Sequence, residues 1–192
     1  MKISKGEYGY IRSQKARRLG RTAALFALAF SVFAVGMILN HGDRKSIYSI
    51  VAAVGMIPGA MSMVSTIMMW MRHPVSEELH REIAGHGGNL RILYELYLTT
   101  RDINLFLDAT VVCGPYVTAY SSEKTTPQNI HFMEEHIRKS LMTERFKESV
   151  KIFSASEKDK FLERVDQIRA KKDELETDQD DKKAAVLQAI AL

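Results

Sequence analysis

Two long runs of residues without a charged side chain constrain this chain more than any other feature. The first run covers residues 22–40 and the second covers residues 46–71. A helix needs about 20 apolar residues to cross the ~30 Å hydrocarbon core of a bilayer, and both runs reach that length. Core helices of soluble proteins seldom lack charges for so long, which makes a soluble protein the weaker alternative. The sequence therefore predicts two transmembrane helices.

Residues 41–45 separate the two predicted spans, which leaves room only for a tight extracytoplasmic turn between antiparallel helices. Both outer ends of the hairpin then face one compartment. Residues 1–21 carry seven Lys or Arg side chains against one acid, and positive residues favour the cytoplasmic side. We therefore predict a two-pass protein of the cell membrane with a basic cytoplasmic arm at 1–21 and both termini in the cytoplasm. Such an arm also attracts anionic lipid.

A cleaved signal peptide is the competing interpretation of the first run. Small residues around Ala34 are compatible with a cleavage site. The basic region and the apolar stretch are both longer than a signal peptide normally has. The second run would anchor the protein in either case.

Small residues in the second span favour close helix packing. Gly55 and Gly59 form a GxxxG pair, and Pro58 between them should kink the helix or loosen one hydrogen bond. The pair could form a dimer face, but packing against the small residues of the first span is the simpler explanation. Neither span contains an ionisable residue, which argues against proton or ion transport by this chain alone.

The region after the membrane segments is close to neutral. Residues 72–192 contain 18 basic and 21 acidic residues, so the sequence pI near 9.1 comes from the N-terminal arm. We therefore expect no nucleic-acid binding. Cys113 is the only cysteine, which excludes an intramolecular disulfide and a CxxC zinc site. We expect Cys113 to be a core residue.

Residues 72–172 predict a cytoplasmic α+β domain in the order helix, strand, strand, helix, strand, helix. The predicted elements are a helix capped by Ser76, a second helix at 90–98 capped by Asn89, strands at 103–113 and 116–122, a helix capped by Thr126, a strand at 150–153, and a helix opened by a capping box of Ser156 and Asp159. Alternation in the first strand predicts one face made of Ile103, Leu105, Leu107, Ala109, Val111 and Cys113. Residues 173–192 form a charged linker and an apolar tail, which could dock on the domain or on a partner.

Chemical motifs are few. His131 and His136 lie five residues apart, whereas two metal ligands on one helix face need a spacing of four, so we predict no metal site. The sequence lacks a glycine-rich phosphate loop that follows a strand, and we predict no cofactor.

The predicted hairpin, helix and strand invite comparison with restriction-endonuclease-like nucleases. Those enzymes use an Asp on one strand and an acid-x-Lys motif on the next, around a magnesium ion. Asp108 could be the first acid, but Glu123 and Lys124 are adjacent and point to opposite faces of a strand. We keep Asp108, Glu123 and Lys124 as catalytic candidates of a diverged site.

The chain resembles small two-span membrane proteins of Gram-positive bacteria. The resemblance lies in Tyr10-Ile11-Arg12 with the following basic residues, in AAVGMIPGAMS at 52–62 and in VKIF at 150–153. It implies the two-span layout and no activity.

Three hypotheses follow. The leading one is a non-enzymatic membrane protein whose cytoplasmic α+β domain binds a protein partner or a second copy of itself. The second is a membrane-tethered hydrolase or diverged nuclease, which requires Asp108 and nearby acids to meet in a cleft. The third is an accessory subunit of a membrane transport complex.

Overall fold

The structure is a computed structural model that describes residues 3–39, 47–100 and 103–191. The chain divides into two compact units. One unit, called the helix pair below, covers residues 11–74; the other, called the domain, combines the residues up to Tyr10 with those from Val75 onward. The predicted turn at 41–45 lies outside the described residues.

The helix pair consists of α1 (Tyr10–Leu39) and α2 (Ile47–Trp70). At 1.5 Å per residue they measure about 45 Å and about 36 Å. Both are long and apolar enough to cross a membrane. Only 17% of the most apolar stretch of each helix is buried, whereas the core helix of a soluble protein is mostly buried. Because α1 begins at Tyr10, the second half of the predicted basic arm is helical.

Small and hydroxyl-bearing residues join the two helices. The Thr22 hydroxyl lies 2.8 Å from that of Ser62 and 2.9 Å from that of Thr66. A Cβ atom added to Gly59 would meet the Phe26 ring at 3.4 Å, so this glycine faces α1.

Gly55 also faces α1, since an added Cβ would lie 3.8 Å from the Cβ of Ala29. The GxxxG surface therefore packs inside the hairpin. A tighter contact lies at Gly36, where an added Cβ would come within 2.3 Å of the Cβ of Tyr48.

The domain is a three-layer α/β/α sandwich around a mixed four-stranded sheet. Its elements are α3 (Glu77–Gly87), β1 (Arg91–Thr99), β2 (Asn104–Cys113), β3 (Tyr116–Tyr120), α4 (Pro127–Thr143), β4 (Ser149–Phe153), α5 (Lys158–Ala170) and α6 (Asp180–Ile190). The sheet order is β1-β2-β3-β4. The first three strands are antiparallel, and α4 crosses over so that β4 lies parallel to β3.

The predicted helix at 90–98 is wrong, because these residues form most of β1. The leucines at 90, 93 and 96 have helical spacing, which misled the prediction. Residues Arg91 to Thr99 form a strand instead, because they pair with β2 through backbone hydrogen bonds. Tertiary hydrogen bonding outweighs the small difference in local propensity.

Helices cover both faces of the sheet. One hydrophobic cluster joins the sheet to α4 and α6, and the other joins it to α3 and α5. Leu105 and Leu107 pack in the first cluster, whereas Ala109 and Val111 pack in the second. A regular strand would hold all four on one face. The predicted single face of this strand is therefore wrong.

The change of face occurs at a backbone irregularity in β1. Glu95 has φ of 56°, a left-handed conformation that is uncommon for a residue with a side chain. It lies between Tyr94, which pairs with Ala109, and Leu96, which pairs with Leu107. Because helices cover both faces, almost every residue of β2 is buried, and alternation could not show the switch.

The first described residues of the chain belong to the domain. Tyr94 N donates to Gly6 O at 2.8 Å, so this segment covers the outer edge of β1. Lys5 Nζ donates to the carbonyl oxygens of Gln188 (3.2 Å) and Ala191 (2.7 Å). The predicted apolar tail is α6, which packs on the domain through residues such as Leu187.

Candidate binding groove

A large cavity of the domain lies where β3 and β4 end. Because these strands are parallel, the chain leaves both of them at the same edge of the sheet. Residues 121–126 follow β3 and residues 154–157 follow β4. Between these segments and the first turns of α4 lies an open cavity of about 980 Å³, called the strand-end groove below. The carboxyl ends of parallel strands are common positions for ligand sites in α/β proteins.

Local capping shapes both walls of the groove. Thr126 caps α4 by accepting a hydrogen bond from Asn129 N at 3.4 Å, as the sequence predicted. The predicted capping box of Ser156 and Asp159 is wrong, because Ser154 and Glu157 form it two residues earlier. A short 3₁₀ turn at 155–157 inserts before α5 and causes this shift. Hydrogen bonds from Ser154 lower the pKa of Glu157.

A buried acid forms the floor of the groove. Glu134 of α4 is only 7% exposed, and its Oε1 accepts a hydrogen bond from Ile152 N at 2.8 Å. Lys151 Nζ lies 3.3 Å from the same oxygen. The carboxylate therefore accepts the hydrogen bond of a backbone N–H group, that of Ile152, on the outer edge of β4. This N–H group is then not available to pair with an added strand.

The rim of the groove carries accessible cationic and polar side chains. Lys124 is exposed and has no ion pair within the described residues. The side chain of His131 is 72% exposed, and its Nδ1 lies 3.9 Å from Glu134 Oε2. Apolar atoms of Pro127, Ile130 and Ile152 line the groove between these groups. Mixed apolar and polar lining of this kind is typical of binding surfaces.

The structure gives two catalytic candidates backbone partners. Asp108 is 3% exposed, and its Oδ2 accepts a hydrogen bond from Ser122 N. Burial raises the pKa of Asp108, the hydrogen bond from Ser122 opposes this, and the charge of Glu123 raises it further. Glu123 Oε2 accepts a hydrogen bond from Phe106 N at 3.3 Å. Both acids thus hold the end of β3 against β2, while Lys124 lies in the groove.

No group of three or more His, Cys, Asp or Glu side chains within residues 3–39, 47–100 and 103–191 is placed to hold a metal ion. Cys113 is a buried core residue, and burial raises the pKa of its thiol. The arrangement therefore offers a surface for binding and no assembled metal centre among the described side chains.

A second charged cluster is structural. Lys183 Nζ, on a side chain that is 6% exposed, lies 2.6 Å from Gly114 O, 3.0 Å from Glu148 Oε1 and 3.6 Å from Asp180 Oδ1. Asp180 Oδ1 in turn accepts from Gly114 N at 3.0 Å. Burial raises the pKa of Asp180, and the Lys183 charge opposes the shift. The assignment of residues 174–183 to a charged linker missed this cluster, because both charges look solvated in the sequence.

Sequence reasoning also missed Glu134, Lys151 and Ser154, which shape the groove. The position of Lys151 between buried Val150 and Ile152 was a usable signal, since it marks an edge strand. No local signal pointed to Glu134, whose burial depends on the crossover from β3 to β4.

Fold and groove together define a three-layer α/β/α domain with an appended pair of long apolar helices. No protein-family model, no curated protein and no solved structure matches the chain. The resemblance to small two-span membrane proteins therefore stays a prediction.

Proposed function

We propose that this chain is a two-pass membrane protein whose helix pair anchors a non-enzymatic domain at the cytoplasmic face of the cell membrane. One observation supports the proposed anchoring by two membrane crossings: residues 3–9 and the residues from Val75 onward belong to the same compact unit. The chain therefore leaves the domain at one outer end of the helix pair and returns to it at the other. A segment that starts and ends on one side crosses a membrane an even number of times.

Charge favours the cytoplasmic side for the domain. The basic residues of the N-terminal arm precede α1, and Arg72 follows α2. Lys and Arg close to the ends of a membrane helix favour the cytoplasm. Cleavage of a signal peptide near Ala34 would remove the segment that covers β1, which weighs against that interpretation.

The domain binds a protein partner through the strand-end groove. Binding is favoured over catalysis because Asp108 and Glu123 are occupied as acceptors for backbone N–H groups. The groove stays open, and it combines apolar lining with the cationic side chain of Lys124 on its rim. Such a surface suits an extended segment of another protein, with apolar side chains in the groove and polar groups at its rim.

A labelling experiment tests the topology. A Cys113→Ser background carries either His41→Cys, between the two spans, or Asp178→Cys, on the exposed surface of the domain. A membrane-impermeant maleimide on intact cells should label only the first cysteine, and on inverted vesicles only the second. Labelling of Asp178→Cys on intact cells would contradict a cytoplasmic domain.

A second experiment separates binding from catalysis. Purified full-length protein with magnesium should not cleave DNA or RNA, and Asp108→Asn should change nothing in that assay. A photo-crosslinker at Ile130 identifies a partner, whose binding to the purified protein is then measured. Lys124→Glu should weaken this binding, whereas the matched Lys147→Glu, an exposed lysine outside the groove, should not. Cleavage that Asp108→Asn abolishes would overturn the proposal. Capture of a second copy of the chain would identify self-association instead.

A further inference from the structure

A cavity between the two helices of the helix pair has a distinct chemical character. It measures about 620 Å³ and is called the arginine cavity below. Its polar end is formed by Arg17, Arg18 and Arg21 of α1 with Ser62 and Ser65 of α2. The three arginines share one face because helical residues three or four positions apart are neighbours.

One arginine of the cavity is fixed and two are free. Arg18 Nη1 donates to Ser65 Oγ at 2.7 Å and lies 3.3 Å from the Ser65 carbonyl oxygen. Arg17 and Arg21 are exposed and make no ion pair with any described residue. The guanidinium of Arg18 therefore forms one wall, and the two exposed guanidinium groups of Arg17 and Arg21 remain available to a ligand.

The described residues of the helix pair supply no counter-ion for these charges. Residues 11–39 and 47–74 contain no Asp or Glu. Three guanidinium groups that line one cavity repel each other unless an anion lies between them. The guanidinium fork suits an oxyanion such as phosphate, to which it can donate two parallel hydrogen bonds.

The depth of the arginines points to a lipid phosphate. Lys15 Nζ donates to the carbonyl oxygen of Trp70 at 3.2 Å, which places Lys15 level with the end of α2. The arginines lie two to six residues further along α1, or about 3–9 Å at the helical rise. Exposed Ile67 of α2 is apolar at this depth. With Trp70 at the membrane interface, the guanidinium groups reach the lipid phosphate level by snorkelling.

The opposite end of the cavity is apolar. Leu25 of α1 lies one turn beyond Arg21, and Pro58 and Met61 of α2 line the same cavity. The cavity thus runs from charged groups near the helix ends to apolar groups nearer the middle of the span. A lipid has the same polarity, with a phosphate at one end and an acyl chain at the other, whereas free phosphate would leave the apolar end empty.

We infer that the arginine cavity binds the phosphate of an anionic membrane lipid, with Arg17 and Arg21 as its direct ligands beside the fixed Arg18. The inference rests on the proposed membrane insertion. It adds a specific lipid site to the general attraction between a basic arm and an anionic membrane.

Lipid retention tests the inference on the full-length chain. The protein is reconstituted in nanodiscs of phosphatidylcholine with phosphatidylglycerol, released in mild detergent and weighed by native mass spectrometry. Wild type should retain phosphatidylglycerol in preference to phosphatidylcholine. The double variant Arg17→Gln, Arg21→Gln should retain roughly tenfold less, because two charge-assisted contacts are lost. The matched double variant Arg12→Gln, Lys15→Gln removes the same charge outside the cavity and should retain lipid as wild type does.

Several results would overturn the inference. The first is equal retention of the two lipids by wild type, and the second is unchanged lipid retention in the double variant Arg17→Gln, Arg21→Gln. The third is displacement of the lipid by excess inorganic phosphate, which would indicate a site for the soluble anion. If the glutamine variant does not insert into the membrane, the double variant Arg17→Lys, Arg21→Lys replaces it. We expect this variant to retain less lipid than wild type. Unchanged retention would contradict the site. Extraction of the wild-type chain from membranes by carbonate would contradict the proposed function, whereas an inserted chain without bound lipid would contradict only this inference.

Discussion

His80 connects α3 to the first residues of the chain. Its ring stacks on Tyr8 with centroids 3.9 Å apart and lies 4.8 Å from the Tyr94 ring. Burial lowers the pKa of His80 below 6.5, and the nearby charge of Glu77 opposes the shift. The folded state therefore binds a proton less readily than the unfolded state. Its contribution to stability is present above about pH 6.5 and is lost as the pH falls toward the lower folded pKa.

We accordingly expect the wild-type domain to lose more stability than His80→Gln between about pH 7.5 and about pH 5.5. Urea denaturation of the full-length protein in detergent measures this difference. His131→Gln is the control, because that side chain is 72% exposed and should leave the pH profile as in wild type. Identical profiles for wild type and His80→Gln would exclude the proposed linkage.

Asp108 shows how far single residues can be interpreted from the sequence. An acid inside an apolar strand is conspicuous, and its position on β2 was predictable. The role of Asp108 was not predictable, because an aspartate in such a position can either bind a metal ion or accept a hydrogen bond from a buried backbone N–H group. The hydrogen bond from Ser122 N depends on how β3 ends beside β2, which no local pattern encodes.

At the scale of elements, the apolar runs and the N-terminal caps of α3 and α4 were predictable because their causes are local. The termini of α3 and α4 follow from Ser76 and Thr126. By contrast, β1 forms through pairing with β2, and α6 is held by buried charges. Both depend on residues far along the chain, so the sequence predicted β1 as a helix and left open whether the apolar tail docks on the domain or on a partner.

The tight contact at Gly36 gives an element-scale prediction. Gly36→Ala places a methyl group within 2.3 Å of the Tyr48 Cβ, and neither backbone can yield easily. We expect the helix pair to lose about 1–3 kcal/mol. Gly20→Ala, on the same helix with no atom within 4 Å, should be neutral or stabilising by up to about 1 kcal/mol.

Trp70 is the only tryptophan and lies in α2, so its fluorescence during denaturant titration in detergent reports on this unit. Equal midpoints for Gly36→Ala and Gly20→Ala would show that the two helices do not approach each other as closely as the structure has them.

The charged cluster under α6 gives a second element-scale prediction. Lys183→Met leaves Glu148 and Asp180 buried without their cation, and removing one partner of a buried ion pair costs about 3–5 kcal/mol. Lys182→Met changes the exposed neighbour and should stay within about 0.5 kcal/mol of wild type. Urea unfolding followed by far-ultraviolet circular dichroism compares the two. Similar losses in both variants would indicate that α6 does not depend on the cluster.

For the whole molecule, the decisive relationship is between distant parts of the chain. The residues before the helix pair complete the domain that follows it, since Gly6 covers the edge of β1 and Lys5 binds the end of α6. An exposed strand edge invites pairing with other chains. Composition and charge predicted only a basic cytoplasmic arm, because sequence patterns carry no information on contacts between segments so far apart.

This relationship predicts that the domain is incomplete without its first segment. A chain in which a flexible linker joins residues 3–9 directly to residues 75–192 should unfold cooperatively. The same chain with residues 3–9 scrambled should be less stable by about 1–3 kcal/mol, because the backbone hydrogen bond of Tyr94 and the stacking of Tyr8 on His80 are lost. Urea midpoints measure the difference, and light scattering should reveal self-association through the uncovered β1 edge. Equal stability would mean that the segment merely lies against the domain, and would remove the main structural argument for an even number of membrane crossings.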